Sequence, residues 1–186
     1  MNNYVIDNSK PHLGGNLPEG DPSTFCPKSW TYVIEKFQIK SVTDVGSGMG
    51  HAADWFSKQG LTVTAIDGLE ENVTKSIYPA QLIGLTEKAF TQPVDLVNCI
   101  EVVEHIEEKY LDNLLDTLCS GKYLLMTHAI PGQDGWHHVN CQWEDYWISH
   151  LKNRGFVLSK TDTEEIRNHA HKAKHIKRSG LFFIKE

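Results

Sequence analysis

Short apolar or β-branched runs alternate along most of this chain with stretches whose apolar residues recur every three or four positions. After Pro27, the residues Trp30, Val33, Ile34 and Phe37 fall at helical spacing, which predicts a helix over 28–37. A β-branched run over 39–45 predicts the first strand. A helix follows over 51–60, stopped by Gly60. The segment 61–67 alternates and is β-branched, the mark of a second strand. Runs at 80–85, 94–100 and 122–130 predict the third, fourth and fifth strands. Between the last two, Tyr110, Leu111, Leu114, Leu115 and Leu118 share one face of a helix over 109–119. A helix over 142–155 ends at Gly155, and a sixth strand follows over 156–160. A polar helix spans about 163–178, and a seventh strand, 181–185, closes the chain.

Strands alternating with helices imply βαβ units and a mostly parallel sheet. Parallel crossovers are right-handed, so helices cover both faces. Residues 1–27 are rich in Gly, Pro and Asn and carry turn chemistry throughout. They read as an arm outside the core, and 28–186 as the core of a single domain.

The 186 residues suffice for one domain with a real core and are too few for two ordinary ones. A formal net charge of −6 argues against general affinity for nucleic acid. Four scattered cysteines form no C-x-x-C pair, which removes a zinc ribbon and a redox dithiol and fits a reducing cytoplasm. The first fifteen residues hold no apolar signal region, and no run is long and apolar enough for a membrane helix.

The chemistry starts at "DVGSGMGHAADWF", residues 44–56. In an open α/β sheet the ligand sits beyond the carboxyl ends of the strands, and the loop after the first strand is the usual cradle. Gly46, Gly48 and Gly50 let the backbone approach a ligand closely. A dinucleotide loop would want a further glycine where the helix opens; that position holds His51, a bulky residue. S-adenosylmethionine, with ribose, adenine and an amino-acid tail, fits better than a pyrophosphate. Asp67, at the end of the second strand, is placed to accept both ribose hydroxyls.

With these residues in view, "SVTDVGSGMG", "VTAIDG" and "DLVNCIEVVEHI" resemble the first, second and fourth motifs of the class I S-adenosylmethionine-dependent methyltransferases. A group of short methyltransferases of bacteria and bacteriophages is similar over nearly the whole chain. Its marks here are Gly14-Gly15, Gly20-Asp21, Thr24-Phe25-Cys26-Pro27 and Trp30, then Pro131-Gly132-Gln133, Gly135, His137-His138-Val139-Asn140, Gln142 and Tyr146-Trp147. The resemblance implies a Rossmann-like fold with seven strands, the last antiparallel. It implies S-adenosylmethionine as cofactor, held by Gly46, Ser47, Gly48, Gly50, Asp67, Gly68, Leu69, Leu85, Thr86, Glu101 and His105. The third strand departs from the pattern: "LIGLTEK" holds no acid before Glu87, so backbone, apolar contact or Thr86 must serve the adenine.

The segment 127–143, "THAIPGQDGWHHVNCQW", follows the fifth strand and should also lie above the site. Histidine is the natural base near neutral pH. His128, at the strand end, and His138 are the candidate bases. Neighbours in extended chain point oppositely, so only one of His137 and His138 should face the site. Trp136, His137 and Asn140 are candidate acceptor contacts. His171 and His175 would share a helical face, but with no acid or cysteine nearby no metal site is expected. From Ile166 to Lys185 there are six basic residues and no acid, a local patch able to attract an anionic acceptor.

The expectation is methyl transfer to an oxygen or nitrogen of a small molecule or sugar, with the arm covering the cofactor. The rivals are a cofactor-binding sensor or partner subunit without turnover, a nucleic-acid methyltransferase, and a nicotinamide oxidoreductase.

Overall fold

The computed structural model describes residues 5–6 and 10–186. Its centre is a seven-stranded sheet. The strands are β3 (Ser41–Val45), β4 (Thr62–Asp67), β5 (Ala80–Leu82), β6 (Val94–Cys99), β7 (Gly121–Met126), β8 (Phe156–Leu158) and β9 (Leu181–Lys185), in the order β5-β4-β3-β6-β7-β9-β8. The pairs β3–β4, β4–β5, β3–β6 and β6–β7 are parallel; β9 runs antiparallel to both β7 and β8. The chain leaves β3 toward β4 and β5, then crosses back to β6 on the other side of β3. That reversal opens a crevice beyond the carboxyl ends of β3 and β6.

Burial on both faces explains the apolar runs. Along β9, Leu181 and Phe183 join one core layer and Phe182 the other. The first layer packs against α4 (Leu111–Leu118) and α5 (Glu144–Lys152) through Leu114, Leu115, Leu118, Trp147 and Leu151. The second packs against α1 (Pro27–Phe37), α2 (His51–Lys58), α6 (Lys160–His169) and α7 (Lys174–Ser179) through Trp30, Val33, Phe56, Ile166 and Ile176. Full burial of side chains of this size contributes roughly 1.5–3 kcal/mol each.

The structure corrects several expected boundaries. The third strand ends at Leu82, because Gly84 begins a turn whose carbonyl accepts the Glu87 and Lys88 amides. The helix expected over 163–178 is two, α6 and α7, separated by a turn around His171 and Lys172. Ala170 and Ala173 at the break are buried, so the chain turns there to seat both on the core. The helix of 109–119 begins as a 3₁₀ turn at Glu108–Tyr110. α3 (Glu70–Lys75), with only Val73 apolar, gave no periodic signal. The arm is also more than turns: β1 (Val5–Ile6) and β2 (Gly14–Asn16) pair antiparallel.

Candidate functional site

One cavity of about 780 Å³ lies above β3, β4 and β6, within the usual range for small-ligand sites. Its floor is the glycine loop. Gly46 and Gly48 have φ of +65° and +53°, left-handed values that other residues adopt at a cost. A Cβ on Gly46 would stand 2.4 Å from Val102 Cγ2, so a side chain has no room there. Gly50, at φ +79°, opens α2 from behind the loop, where a Cβ would strike Ser76 and Tyr78.

Two carboxylates end the strands on this floor. Asp67 accepts the amides of Gly48 and Leu69, each at 2.8 Å, and the Asn72 side chain at 3.1 Å. These donors fix its orientation, although burial keeps its pKa above the ordinary value. Asp44 is more deeply set. Burial pushes its carboxyl up to about 7 against the Asn98 hydrogen bond, with Asp67's charge adding. Asn98 donates to Asp44 Oδ1 at 2.7 Å and accepts from Trp30 Nε1 at 3.1 Å. Asp44 Oδ2 is buried with no protein partner among the described residues.

Past β6 the backbone takes φ +55° at Glu101, turning its carboxylate toward α7. Oε2 accepts His175 Nδ1 at 2.8 Å, and Oε1 accepts the Thr127 hydroxyl at 2.8 Å. Burial raises the Glu101 pKa, but His175, the Thr127 hydroxyl and the Arg178 charge together bring the net shift downward. His175 Nε2 lies 3.8 Å from Asp21 of the arm, and both residues line the cavity.

The arm crosses the cavity and is pinned along its length. Trp136 Nε1 donates to the Pro11 carbonyl at 2.9 Å, Asn72 donates to Asn16 at 3.0 Å, and the His175 amide donates to the Ser23 carbonyl at 3.1 Å. His51, the bulky residue that replaces a phosphate-facing glycine, turns toward the arm: Nε2 lies 3.3 Å from the Pro18 carbonyl, and the ring packs on Gly20. Leu13 packs on Gly68 in the same way.

The last wall comes from the turn after Glu101 and the loop 127–143. Glu104 is fully buried behind His105 and His138, whose rings meet edge to face at 5.2 Å. Burial first, then Glu101's charge, lifts the Glu104 pKa well above the carboxylate range. Burial first, then His138, pushes His105 down to about 4.

The glycine loop, the strand-end carboxylates and the sheet order meet their match in known proteins. A family described as a methyltransferase domain matches residues 27–173. The chain belongs to the methyltransferase domain family. Curated relatives include the ubiquinone biosynthesis O-methyltransferases of Rickettsia typhi, 31% identical over 102 residues, 45% of this chain and 42% of that protein, and of Rickettsia felis, 33% identical over 102 residues. The matched stretch thus spans less than half the length of these relatives. Among solved structures, magnesium protoporphyrin IX methyltransferase from Synechocystis PCC 6803 with bound SAM aligns with a TM-score of 0.62 at 15% identity, covering 85% of this chain and 76% of that one. A SAM-dependent methyltransferase from Archaeoglobus fulgidus aligns at 0.60 with 17% identity, covering 90% and 95%.

The methyltransferase fold brings most of the expected residues to one cavity. Gly46, Ser47, Gly48, Asp67, Gly68, Leu85, Glu101, His105, Trp136 and His138 line it. Others do not. Gly50 and Leu69 lie behind the loops they shape, and Thr86 turns its hydroxyl to His12 at 3.2 Å. His128 is 2% exposed and does not line the cavity, its amide donating to the Ser179 hydroxyl, so a base role there has no access to an acceptor. Asn140 is buried and accepts from Gln142, while His137, at φ +46°, does not reach the cavity wall. His171 and His175 are not on one helix, because the chain turns between them.

Asp44, His51 and His175 are cavity residues that the sequence reading left out. Asp44 had a signal, since it stands near the end of the first strand, two residues before Gly46. His175 had none, because it is 74 residues from Glu101. The basic segment is partly engaged: Arg167 donates to the Gly180 carbonyl and Glu144, and Arg178 meets His175.

Proposed function

We propose that this domain transfers the methyl group of S-adenosylmethionine to an oxygen of a small-molecule acceptor. The observation that carries the reading is the convergence of the Gly46–Gly48 loop, Asp44 and Asp67 on one cavity. The residues fit the cofactor. Asp44 Oδ2, buried and without a partner, suits an ammonium group. Asp67, held by two backbone amides, keeps lone pairs for a ribose diol. Ile83, Leu85 and Ile106 supply apolar surface for an adenine in place of the missing acid. When bound, the cofactor supplies a methyl group already activated by its sulfonium.

The remaining work is positioning, exclusion of water and removal of a proton from the acceptor. Arm residues 10–25, fastened to His51, Asn72, Trp136 and His175, exclude water from the cavity. His175 is the base. With its proton on Nδ1, toward Glu101 at 2.8 Å, the ring offers Nε2 as the acceptor nitrogen; Arg178 Nη2 lies 3.1 Å from the same Nδ1. A carboxylate-held imidazole serves a hydroxyl acceptor, since an amine needs no base of this strength. The O-methyltransferase names of the curated relatives support the same choice. The net charge of −6 weighs against a nucleic-acid acceptor. Among the described residues no helix is long and apolar enough to cross a membrane.

Isothermal titration with S-adenosylmethionine, S-adenosylhomocysteine and NAD, beside Asp67→Ala, tests the reading. Micromolar binding of the first two only, lost in the variant, is the expected result. Binding of NAD, or of neither methyl-cycle compound, overturns it. Binding without turnover on any phenol or sugar hydroxyl would assign the chain to a sensor or partner subunit.

A further inference from the structure

Among the described residues, Glu104 is a fully buried carboxylate with no partner for its charge and no hydrogen-bond partner for either oxygen. A carboxylate in that position needs a cation or a proton. Two imidazoles stand beside it: a ring nitrogen of His105, one of His138 and a Glu104 oxygen all lie within 4.8 Å of one another.

The surroundings orient these ligands. His138 Nδ1 lies 3.2 Å from the Gln133 carbonyl, so it donates and leaves Nε2 with its lone pair. His105 Nδ1 is buried and has no hydrogen-bond partner among the described residues. The amides of Val139 and Asn140 both donate to the Glu104 carbonyl at 3.0 Å, which staples the loop carrying His138 onto the turn carrying Glu104. Gly135 is required beside it, because a Cβ there would fall 2.1 Å from His138 Nε2.

We propose that Glu104, His105 and His138 bind one divalent transition-metal ion at the wall of the cavity. Two imidazole nitrogens and one carboxylate oxygen suit zinc, cobalt or manganese rather than calcium or magnesium, which favour all-oxygen shells. Ligands at about 2.1 Å from a tetrahedral ion stand about 3.4 Å apart, so modest side-chain rotations close the site. His105 and His138 line the cavity, which leaves the ion's open position facing the ligand space. An oxygen of the acceptor is the group that position would take; this last step alone rests on the transferase reading.

The test is titration of chelator-dialysed full-length protein with Co²⁺, followed by visible absorption, and with Zn²⁺ by calorimetry. Glu104→Gln and His138→Ala are run beside it, with circular dichroism to verify folding and S-adenosylmethionine titration to report on the cofactor site. His138 sits on a loop, so its removal leaves the core intact even if Glu104→Gln does not fold. The expected result is one equivalent of metal, a four- or five-coordinate cobalt spectrum, and affinity reduced about 100-fold or more in each folded variant. No uptake by the wild-type protein, or equal uptake by His138→Ala, overturns the metal site. Metal failure with intact cofactor binding leaves the transferase reading standing; loss of cofactor binding with intact metal uptake does the reverse.

Discussion

Glu101 and His175, 74 positions apart in the chain, meet through a 2.8 Å contact between Oε2 and Nδ1. The pair ties the end of β6 to α7 and, through the His175 amide on Ser23, to the arm. If His175 is the base, His175→Ala lowers kcat by about 100-fold or more. The dissociation constant for S-adenosylmethionine stays within about threefold, because the loss falls on the acceptor step. Glu101→Gln keeps the shape and loses the charge, so kcat should fall about tenfold with the cofactor dissociation constant unchanged. An unchanged kcat would make Glu101 a structural residue only.

Asp44 makes the ligand-free protein sensitive to pH. Its folded pKa, about 7, stands above the ordinary 3.8, so the folded state holds the extra proton between those values. Stability therefore falls as pH rises from about 4 to 7. Asp44→Asn removes this slope and should stabilise the free protein at pH 8 by roughly 1–3 kcal/mol. The same change weakens S-adenosylmethionine, because the buried negative charge is gone. Thermal unfolding across pH, with and without cofactor, reads both effects.

Gly46 is held by two separate constraints, a φ of +65° and the 2.4 Å approach of Val102 to its absent Cβ. Gly46→Ala should destabilise the fold by about 1–3 kcal/mol and raise the cofactor dissociation constant. Adding Val102→Ala relieves the clash and not the backbone strain, so recovery of stability should be partial. Full recovery in a urea titration would show that the positive φ costs nothing here.

The arm bonds to His51, Asn72, Trp136 and His175, four separate places on the core. Deleting residues 1–20 should leave the sheet folded and raise the cofactor dissociation constant by about tenfold or more, since the cavity then opens to water. Trp136→Ala, which removes the Pro11 tie and the packing against Gly15, should have a smaller effect in the same direction. Equal affinity in the deletion would make the arm a bystander.

Much of this was legible in the residues. The β-branched and apolar runs fix the strands, because a sheet covered on both faces buries consecutive residues, as at Leu124 and Leu125. The glycine loop and Asp67 declare themselves because close backbone approach and a strand-end acid are local requirements. The polar break at His171–Lys172 and the helix at 70–75 were not legible, since no apolar period marks them. Tertiary structure alone decided which histidines face the cavity. His128 and His138 read alike in sequence, yet one is buried just past β7, away from the cavity lining, while the loop brings the other into the cavity wall. His175 reached Glu101 only because α7 packs on the second core layer through Ile176. Backbone preference and burial pattern are local properties and travel with the sequence; the convergence of side chains from distant segments depends on how the helices pack, and no stretch of sequence holds that by itself.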